Sequence, residues 1–242
     1  IKFNNVKLLS CIEWAGTALQ RYPLELINDL NPITEKILLN FKKNRFEKRL
    51  KRISEFFISI VLFIFSFPIL LISALLIKLE DGGPIFYTQV RTGYKGHCFK
   101  ILKLRTMRTN SEKNGPVWSS KNDQRITKVG GFLRKSRIDE IPQLLLVISG
   151  KLSLIGPRPE RPDFDNYLRE KIPNYDLRYF MKPGLSGWAQ VNYPYGASQK
   201  DAQNKLSYDL YYISNFSNLL DLLILFKTIK LVFKRKGAIA LS

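Results

Sequence analysis

FFISIVLFIFSFPILLISALLI, residues Phe56 to Ile77, runs for 22 residues without a charge. As a helix it measures about 33 Å, enough to reach across the hydrocarbon core of a bilayer. A core helix of a soluble protein is the alternative, but uncharged runs of this length are uncommon there. The flanks decide how the segment sits. Before it, KKNRFEKRLKR (Lys42 to Arg52) sets seven basic residues against the single acid Glu47. Such a block is expected to lie against anionic headgroups on a cytosolic face. After it, beyond Glu80 and Asp81, come Arg91, Lys95, Lys100, Lys103, Arg105 and Arg108, with no acid until Glu112. A spanning helix has one positive side, whereas this segment has two. Pro68, near its middle, removes a backbone hydrogen bond, and Ser66 is placed to satisfy a freed carbonyl. The expectation is a re-entrant helix that bends at Pro68, enters and leaves by one face, and keeps the remainder cytosolic.

The formal charge of +19 calls for an anionic partner: nucleic acid, anionic lipid or a phosphorylated substrate. Cys11 and Cys98, far apart, and the lone His97 form neither a disulfide framework nor a zinc-type spacing, which suits a reducing compartment. Residues 1–41, broken at Pro23 and Pro32, read as a linker or helical lead-in. The chain thus divides into a lead-in with a basic juxtamembrane segment (1–50), the membrane helix (51–80) and a cytosolic domain (81–242). It begins at Ile1 rather than Met, as a piece of something longer would.

Downstream, Pro84–Val90 and Cys98–Met107 read as a hairpin around Gly93 and Gly96. In its second segment Lys103, Arg105 and Thr106 alternate with Leu102 and Leu104, which points the polar residues to one face. Asn110–Asp123 has the composition of a loop. Arg125–Arg137 carries a helical pattern interrupted by Gly130-Gly131, and Glu160–Lys171 an amphipathic one closed by Pro173. Lys182–Gln190 (KPGLSGWAQ) reads as a turn-rich loop with an exposed Trp188. Asp201–Ser214 is a further helix. Leu219–Phe233 is apolar on most of its circumference, with Lys227, Lys230 and Lys234 on one face; it suits the membrane interface and core packing equally. The class these elements define is α+β and mostly helical.

The chemistry concentrates in RKSRIDEIPQLLLVISGKLSLIGPRP, Arg134 to Pro159. Pro142 belongs in the first turn of a helix and Gly150 just past its end, so a helix is expected from near Asp139 to near Gly150. Asp139 and Glu140 then sit at its N-terminus, which favours anions and keeps both carboxylates ionised. Arg134, Lys135, Arg137, Lys151 and Arg158 surround them. A carboxylate pair ringed by cations can supply a nucleophile and a metal ligand for phosphoryl chemistry. It can equally be a capped surface helix with solvated Arg and Lys, and the pair alone leaves both open.

Beside the basic block and the apolar helix stand, in order, DGGPIFYTQVRTG, FKILKLRTMR, DQRITKVGGFLRKSRIDEIPQLLLVISGKLSLIGPRPERP, KPGLSGWAQVN and YDLYYISNFSNLLDLLILFKTI. From about Lys51 to Lys234 the chain resembles the bacterial sugar transferases known as monotopic polyprenyl-phosphate phosphoglycosyl transferases. DQRITKVG and PERP resemble the long branch of that family, whose members carry extra N-terminal membrane segments and a further domain. The resemblance implies a monotopic enzyme on the cytosolic face of the bacterial inner membrane, with a re-entrant helix and interfacial amphipathic helices. It implies that Asp139 attacks the β-phosphorus of a UDP-sugar, expels UMP and carries the sugar phosphate until polyprenyl (undecaprenyl) phosphate takes it. Glu140 would bind Mg²⁺, and Lys103, Arg134 and Arg158 match the family's phosphate-contacting cations. Arg105 and Arg137 join them as substrate-binding candidates. Two departures stand out. Phe67 separates Ser66 from Pro68, where many relatives have Ser directly before the proline, and Arg137 stands where relatives often have a smaller or hydrophobic residue.

Three other classes compete. A membrane-tethered nucleic-acid binder would use the charge and stack bases on Trp118 and Trp188, but no nucleic-acid motif accompanies them, and none is expected as a partner. An inactive membrane scaffold does not need the dyad or GPRP. Adjacent carboxylates at a helix start do not flank a sugar ring at the roughly 5–9 Å a glycosidase needs. A homo-oligomer stays open.

Overall fold

The computed structural model describes residues 2–3, 6–7, 9–24, 32–37, 45–109, 111, 123–194, 196 and 198–233. Lys42 and Lys43, Trp118, most of the Asn110–Asp123 stretch and Lys234 lie outside them. Two short strands, β1 (Lys2–Phe3) and β2 (Val6–Lys7), pair antiparallel before α1 (Cys11–Trp14), which runs on through a π-helical turn, Ala15–Leu19. Ser10 caps α1 by accepting from the Glu13 amide while the Glu13 side chain accepts from the Ser10 amide. The lead-in is not a detached linker. Ala15, Tyr22, Ile33 and Ile37 are buried in the same core as Leu144, Val147, Trp188 and Leu210.

The long helix, α2 (Arg45–Asp81), takes in the end of the basic block, the apolar run and the acids after it, 37 residues unbroken through Pro68. Its inward residues are Lys51, Glu55, Ser59, Phe63, Ser66, Leu70, Ser73 and Ile77, spaced three or four apart as one helical stripe. Phe57 (61% exposed), Phe65 (78%) and Leu79 (73%) point the other way. A soluble core helix buries its apolar side; this one turns Lys51, Glu55 and three serines to the protein along with Phe63, Leu70 and Ile77, and leaves most of its large apolar side chains outward, as a lipid environment demands. Pro68 lies on the outward side. The carbonyl it leaves without an i+4 donor is that of Ile64, but Ser66 Oγ donates to Phe63 O at 3.2 Å, so Ser66 does not satisfy it.

The hairpin is β3 (Phe86–Thr92) and β4 (Cys98–Leu104), antiparallel from Phe86↔Leu104 to Thr92↔Cys98. Next, α3 (Lys128–Ser136) is capped by Thr127, whose side chain accepts from the Gly130 amide. Gly130-Gly131 does not interrupt this helix. A Cβ on Gly130 would stand 2.1 Å from Thr106 O, so glycine is what lets α3 lie against the chain leaving β4. Then come a 3₁₀ stretch, Ile138–Gln143, α4 (Leu144–Ile148), β5 (Ser153–Ile155) and α5 (Pro162–Lys171). After the 3₁₀ turn Tyr175–Phe180, β6 (Gly184–Ser186) pairs parallel with β5, and α6 (Trp188–Asn192), α7 (Gln199–Ser214) and α8 (Asn218–Phe233) follow.

The KPGLSGWAQ stretch is a packed strand and helix, and Trp188 is 1% exposed. Its ring stacks on Tyr211, its Nε1 donates to Gln20 O at 2.8 Å, and Lys227 Nζ lies 4.3 Å over its face. No base can stack on it. Around α8, Leu219, Phe226 and Phe233 are exposed and Ile224 is fully buried.

Candidate active site

Arg137 closes α3 in the left-handed region, φ +59°. That residue turns the chain so that Asp139 and Glu140 lie on the 3₁₀ stretch leading into α4, both buried. The dyad is therefore one step away from the expected α-helical N-terminus; Pro142 sits inside the 3₁₀ stretch, and Gly150 (φ +79°) turns the chain past α4. On the hairpin, Tyr87 pairs with Lys103, and the alternation sends Lys103 toward the dyad.

Three cations converge on Glu140. Lys103 Nζ donates to Oε1 at 2.9 Å, Arg158 Nη2 to Oε1 at 2.7 Å, and Arg137 Nη1 to Oε2 at 3.1 Å. Asp139 Oδ1, equally buried, accepts no hydrogen bond. This asymmetry splits the two carboxyls, which the reading of both as simply ionised missed. Burial raises Asp139, the neighbouring Glu140 charge raises it further, and Lys103, Arg134 and Arg137 offset only part, leaving it at about 6. Burial also works on Glu140, but Arg158, Lys103 and Arg137 overcome it and hold that carboxyl well below the usual range. Burial depresses the Lys103 ammonium, against the pull of Glu140.

Lys103, Arg105, Arg134, Arg137, Asp139, Glu140 and Arg158 all line one cavity of about 890 Å³. Ten Arg or Lys against four acids line it, so its field favours an anion. Arg105 is not brought to the dyad. Its guanidinium forks onto the Asp81 carboxylate and its Nε donates to Pro84 O at 2.6 Å, which ties the end of α2 to the hairpin. Sequence reasoning missed Arg178. Buried, it donates to Arg158 O at 2.8 Å and to Asp209 Oδ2 at 3.1 Å, and so fixes the backbone that presents Arg158. Burial, against the pull of Arg178, raises Asp209 to about 6. Arg91, Gln190 and Lys205 also line the cavity. Nothing in their local sequence marks them, because strands and helices distant in the chain bring them there.

Among the described residues no group of three or more His, Cys, Asp and Glu could enclose a metal. The dyad still suits Mg²⁺, which is commonly held by one or two carboxylates plus substrate phosphates. Asp139 Oδ1 is an orphaned buried acceptor, and Glu140 Oε2 accepts from Arg137 Nη1.

The family model for bacterial sugar transferases matches residues 46–235. The chain belongs to the bacterial sugar transferase family. Within it, the UDP-N-acetylgalactosamine-undecaprenyl-phosphate N-acetylgalactosaminephosphotransferase of Aeromonas hydrophila is 46% identical over 171 residues, 71% of this chain and 40% of that protein. The UDP-glucose:undecaprenyl-phosphate glucose-1-phosphate transferase of Klebsiella pneumoniae is 37% identical over 190 residues, 78% of this chain and 41% of its own length. The exopolysaccharide production protein PSS of Rhizobium leguminosarum is 38% identical over 186 residues, 74% of this chain and 93% of that protein. The chain thus spans about two fifths of the first two relatives' length and nearly all of the third's.

Proposed function

We propose that this chain transfers a sugar 1-phosphate from a UDP-sugar to polyprenyl (undecaprenyl) phosphate, the first membrane step in assembling a surface polysaccharide or glycoconjugate. The observation that carries the reading is the divided dyad: a buried, unpartnered Asp139 oxygen beside a Glu140 that gathers Lys103, Arg137 and Arg158, on a cationic cavity. An Asp139 oxygen attacks the β-phosphorus of the UDP-sugar; the bond from that phosphorus to the bridging oxygen breaks, and UMP leaves with the electron pair. In the second displacement a phosphate oxygen of the lipid attacks the same phosphorus. The bond to Asp139 breaks, giving polyprenyl-diphosphate-sugar and the free carboxylate. Covalent catalysis divides one displacement into two. Lys103, Arg134, Arg137 and Arg158 stabilise the charge on the phosphoryl oxygens, and desolvation strips the Asp139 oxygen of the water that would otherwise blunt it. Glu140 would hold Mg²⁺, which when bound would supply charge neutralisation for the diphosphate.

The same reading places the catalytic domain on the cytosolic face of the inner membrane with α2 re-entrant. What supports it is that both ends of α2 are fastened to one domain: Glu55 to Ser153 Oγ at 2.6 Å near the start, Glu80 to the Val129 amide at 3.1 Å and Asp81 to Arg105 at the end. The test is intact-mass measurement of the purified chain with Mg²⁺ and UDP-N-acetylgalactosamine or UDP-glucose, without lipid acceptor. A sugar-phosphate adduct on the wild type and none on Asp139→Asn is expected; an adduct that persists in the variant refutes the assignment.

A further inference from the structure

The juxtamembrane basic block divides in two. Arg45 and Arg49 are exposed, but the next turn of α2 faces inward. Lys51, buried, donates to Ile155 O at 3.0 Å and pairs with Asp221 at 2.6 Å and Glu55 at 2.8 Å. Arg52 donates Nη1 to Val147 O at 2.6 Å and Nη2 to Ile148 O at 2.8 Å, the last two carbonyls of α4. Glu55, also buried, accepts with one oxygen from Ser153 Oγ (2.6 Å), the Leu154 amide (3.0 Å) and the Ile155 amide (3.4 Å). These are not the contacts of side chains left to lipid headgroups.

The stretch so gripped, Val147 to Ile155, is the piece of chain between Glu140 and Arg158. Its helical part is too short to hold itself. The five residues of α4 continue a 3₁₀ stretch, and a helix of that length is marginal without tertiary support. Of its final two carbonyls, Val147 O also accepts from the Gly150 amide at 3.0 Å, and a guanidinium there adds a donor to each and complements the dipole. The chain then doubles back at Gly150, whose φ is +79° and where a Cβ would come within 3.1 Å of the Arg52 guanidinium. Past the turn, Glu55 fixes the strand whose end leads directly into Gly156, Pro157 and Arg158.

We infer that Arg52 and Glu55 are positioning residues: from the membrane helix they hold both ends of the segment that sets Arg158 against the Asp139–Glu140 dyad, so that the active site is assembled only while α2 is seated on the domain. This rests on the reading of those three residues given above. Reacting groups displaced by about 1 Å lose on the order of 100-fold in rate, so the grip acts on kcat more than on substrate affinity.

The experiment uses the full chain in nanodiscs of phosphatidylcholine and phosphatidylglycerol, with undecaprenyl phosphate, Mg²⁺ and UDP-N-acetylgalactosamine or UDP-glucose. UMP release and amide hydrogen exchange over Ser149–Arg158 are measured for wild type, Arg52→Ala, Arg52→Lys and Glu55→Gln, with Arg49→Ala as a control from the same basic block. Arg52→Ala is expected to lower kcat about 10- to 100-fold with KM within about threefold, and to speed exchange at Ser149–Ile155. Arg52→Lys should recover part of both, and Glu55→Gln should speed exchange at Leu154 and Ile155. Arg49→Ala should match wild type. Wild-type turnover or wild-type exchange in Arg52→Ala overturns the inference. Should Arg52→Ala lack a cooperative melt, Arg52→Lys is judged by the same two readouts. If the wild type releases no UMP, it is the proposed reaction that fails, and the exchange measurement alone then sustains or overturns the grip.

Discussion

Replacing Asp139 by Asn should stabilise the fold while abolishing turnover, and the size of the gain follows from the site. In the folded chain the Asp139 carboxyl stands at about 6 against an ordinary 3.8, because burial and the Glu140 charge outweigh Lys103, Arg134 and Arg137. Two pKa units of displacement correspond to about 3 kcal/mol of penalty on the ionised form. Relaxation in the variant reduces the recoverable part to on the order of 2 kcal/mol, or roughly 4–8 °C in melting temperature for a chain of this size. The sign follows from linkage. A carboxyl raised in the folded state contributes stability that is complete below the unfolded value of 3.8 and is lost as pH rises through about 6. The wild type therefore carries the whole penalty above about pH 7, whereas Asn carries none at any pH. The melting advantage of Asp139→Asn should be full at pH 8, shrink between pH 6 and 4, and vanish below. Detergent-solubilised protein in EDTA, melted at one scan rate and followed by tryptophan fluorescence, gives the comparison. An Asn variant that melts at or below wild type at pH 8 would show that Asp139 is held by attractive contacts, and the account of it as a desolvated nucleophile would fall.

The same geometry makes two further predictions. Glu140→Gln removes the charge that gathers Lys103, Arg137 and Arg158, so the rate should fall by two orders of magnitude or more and its Mg²⁺ dependence should shift to higher concentrations; unchanged Mg²⁺ activation in a variant with measurable turnover counts against the metal-ligand role. Single cysteines at Asn44 and Asn114, with Cys11 and Cys98 replaced, should both resist a membrane-impermeant thiol reagent in intact cells and react once the cells are opened; labelling of either site in intact cells means that α2 spans.

Where the sequence was legible, a local rule was enough. Twenty-two uncharged residues pick out the long apolar helix α2, and DE amid RKSR and GPRP picks out a cluster of opposite charges that the fold gathers on one cavity. Where it was not, the cause lies in distant chain. KPGLSG looks like a loop because it is rich in Gly and Pro, but a Cβ on Gly184 or Gly187 would stand 2.1 Å from the backbone of Gly156, and these glycines serve the packing of β6 on β5. Nothing around Trp188 says that Tyr211 and Gln20 enclose it. Arg137 was expected to add one more cation, and it does, but its left-handed backbone also ends α3 and turns the dyad into the cavity. The equal treatment of Asp139 and Glu140 failed for a related reason: the partners that separate them come from β4 and from beyond β5.

The basic block shows how a correct compositional rule can be misapplied. Positive charge beside an apolar helix favours the cytosolic face whether each side chain touches lipid or protein. Hydropathy, summed around the helix, carries no information about which face is turned inward. In lipid that face is recognised by small and polar residues, because large apolar ones gain nothing by leaving the acyl chains. On α2 the inward stripe runs Lys51, Glu55, Ser59, Phe63, Ser66, Leu70, Ser73, Ile77. Its three serines recur every seventh residue, and Ser73 Oγ turns back onto Ile69 O at 2.8 Å within its own helix. Small residues at that period let a helix lie close against its neighbour, while the ion pairs at its two ends fix its register along the domain. The helix that anchors the chain thereby also braces the two segments, β4 and Val147–Ile155, that carry Lys103 and lead into Arg158.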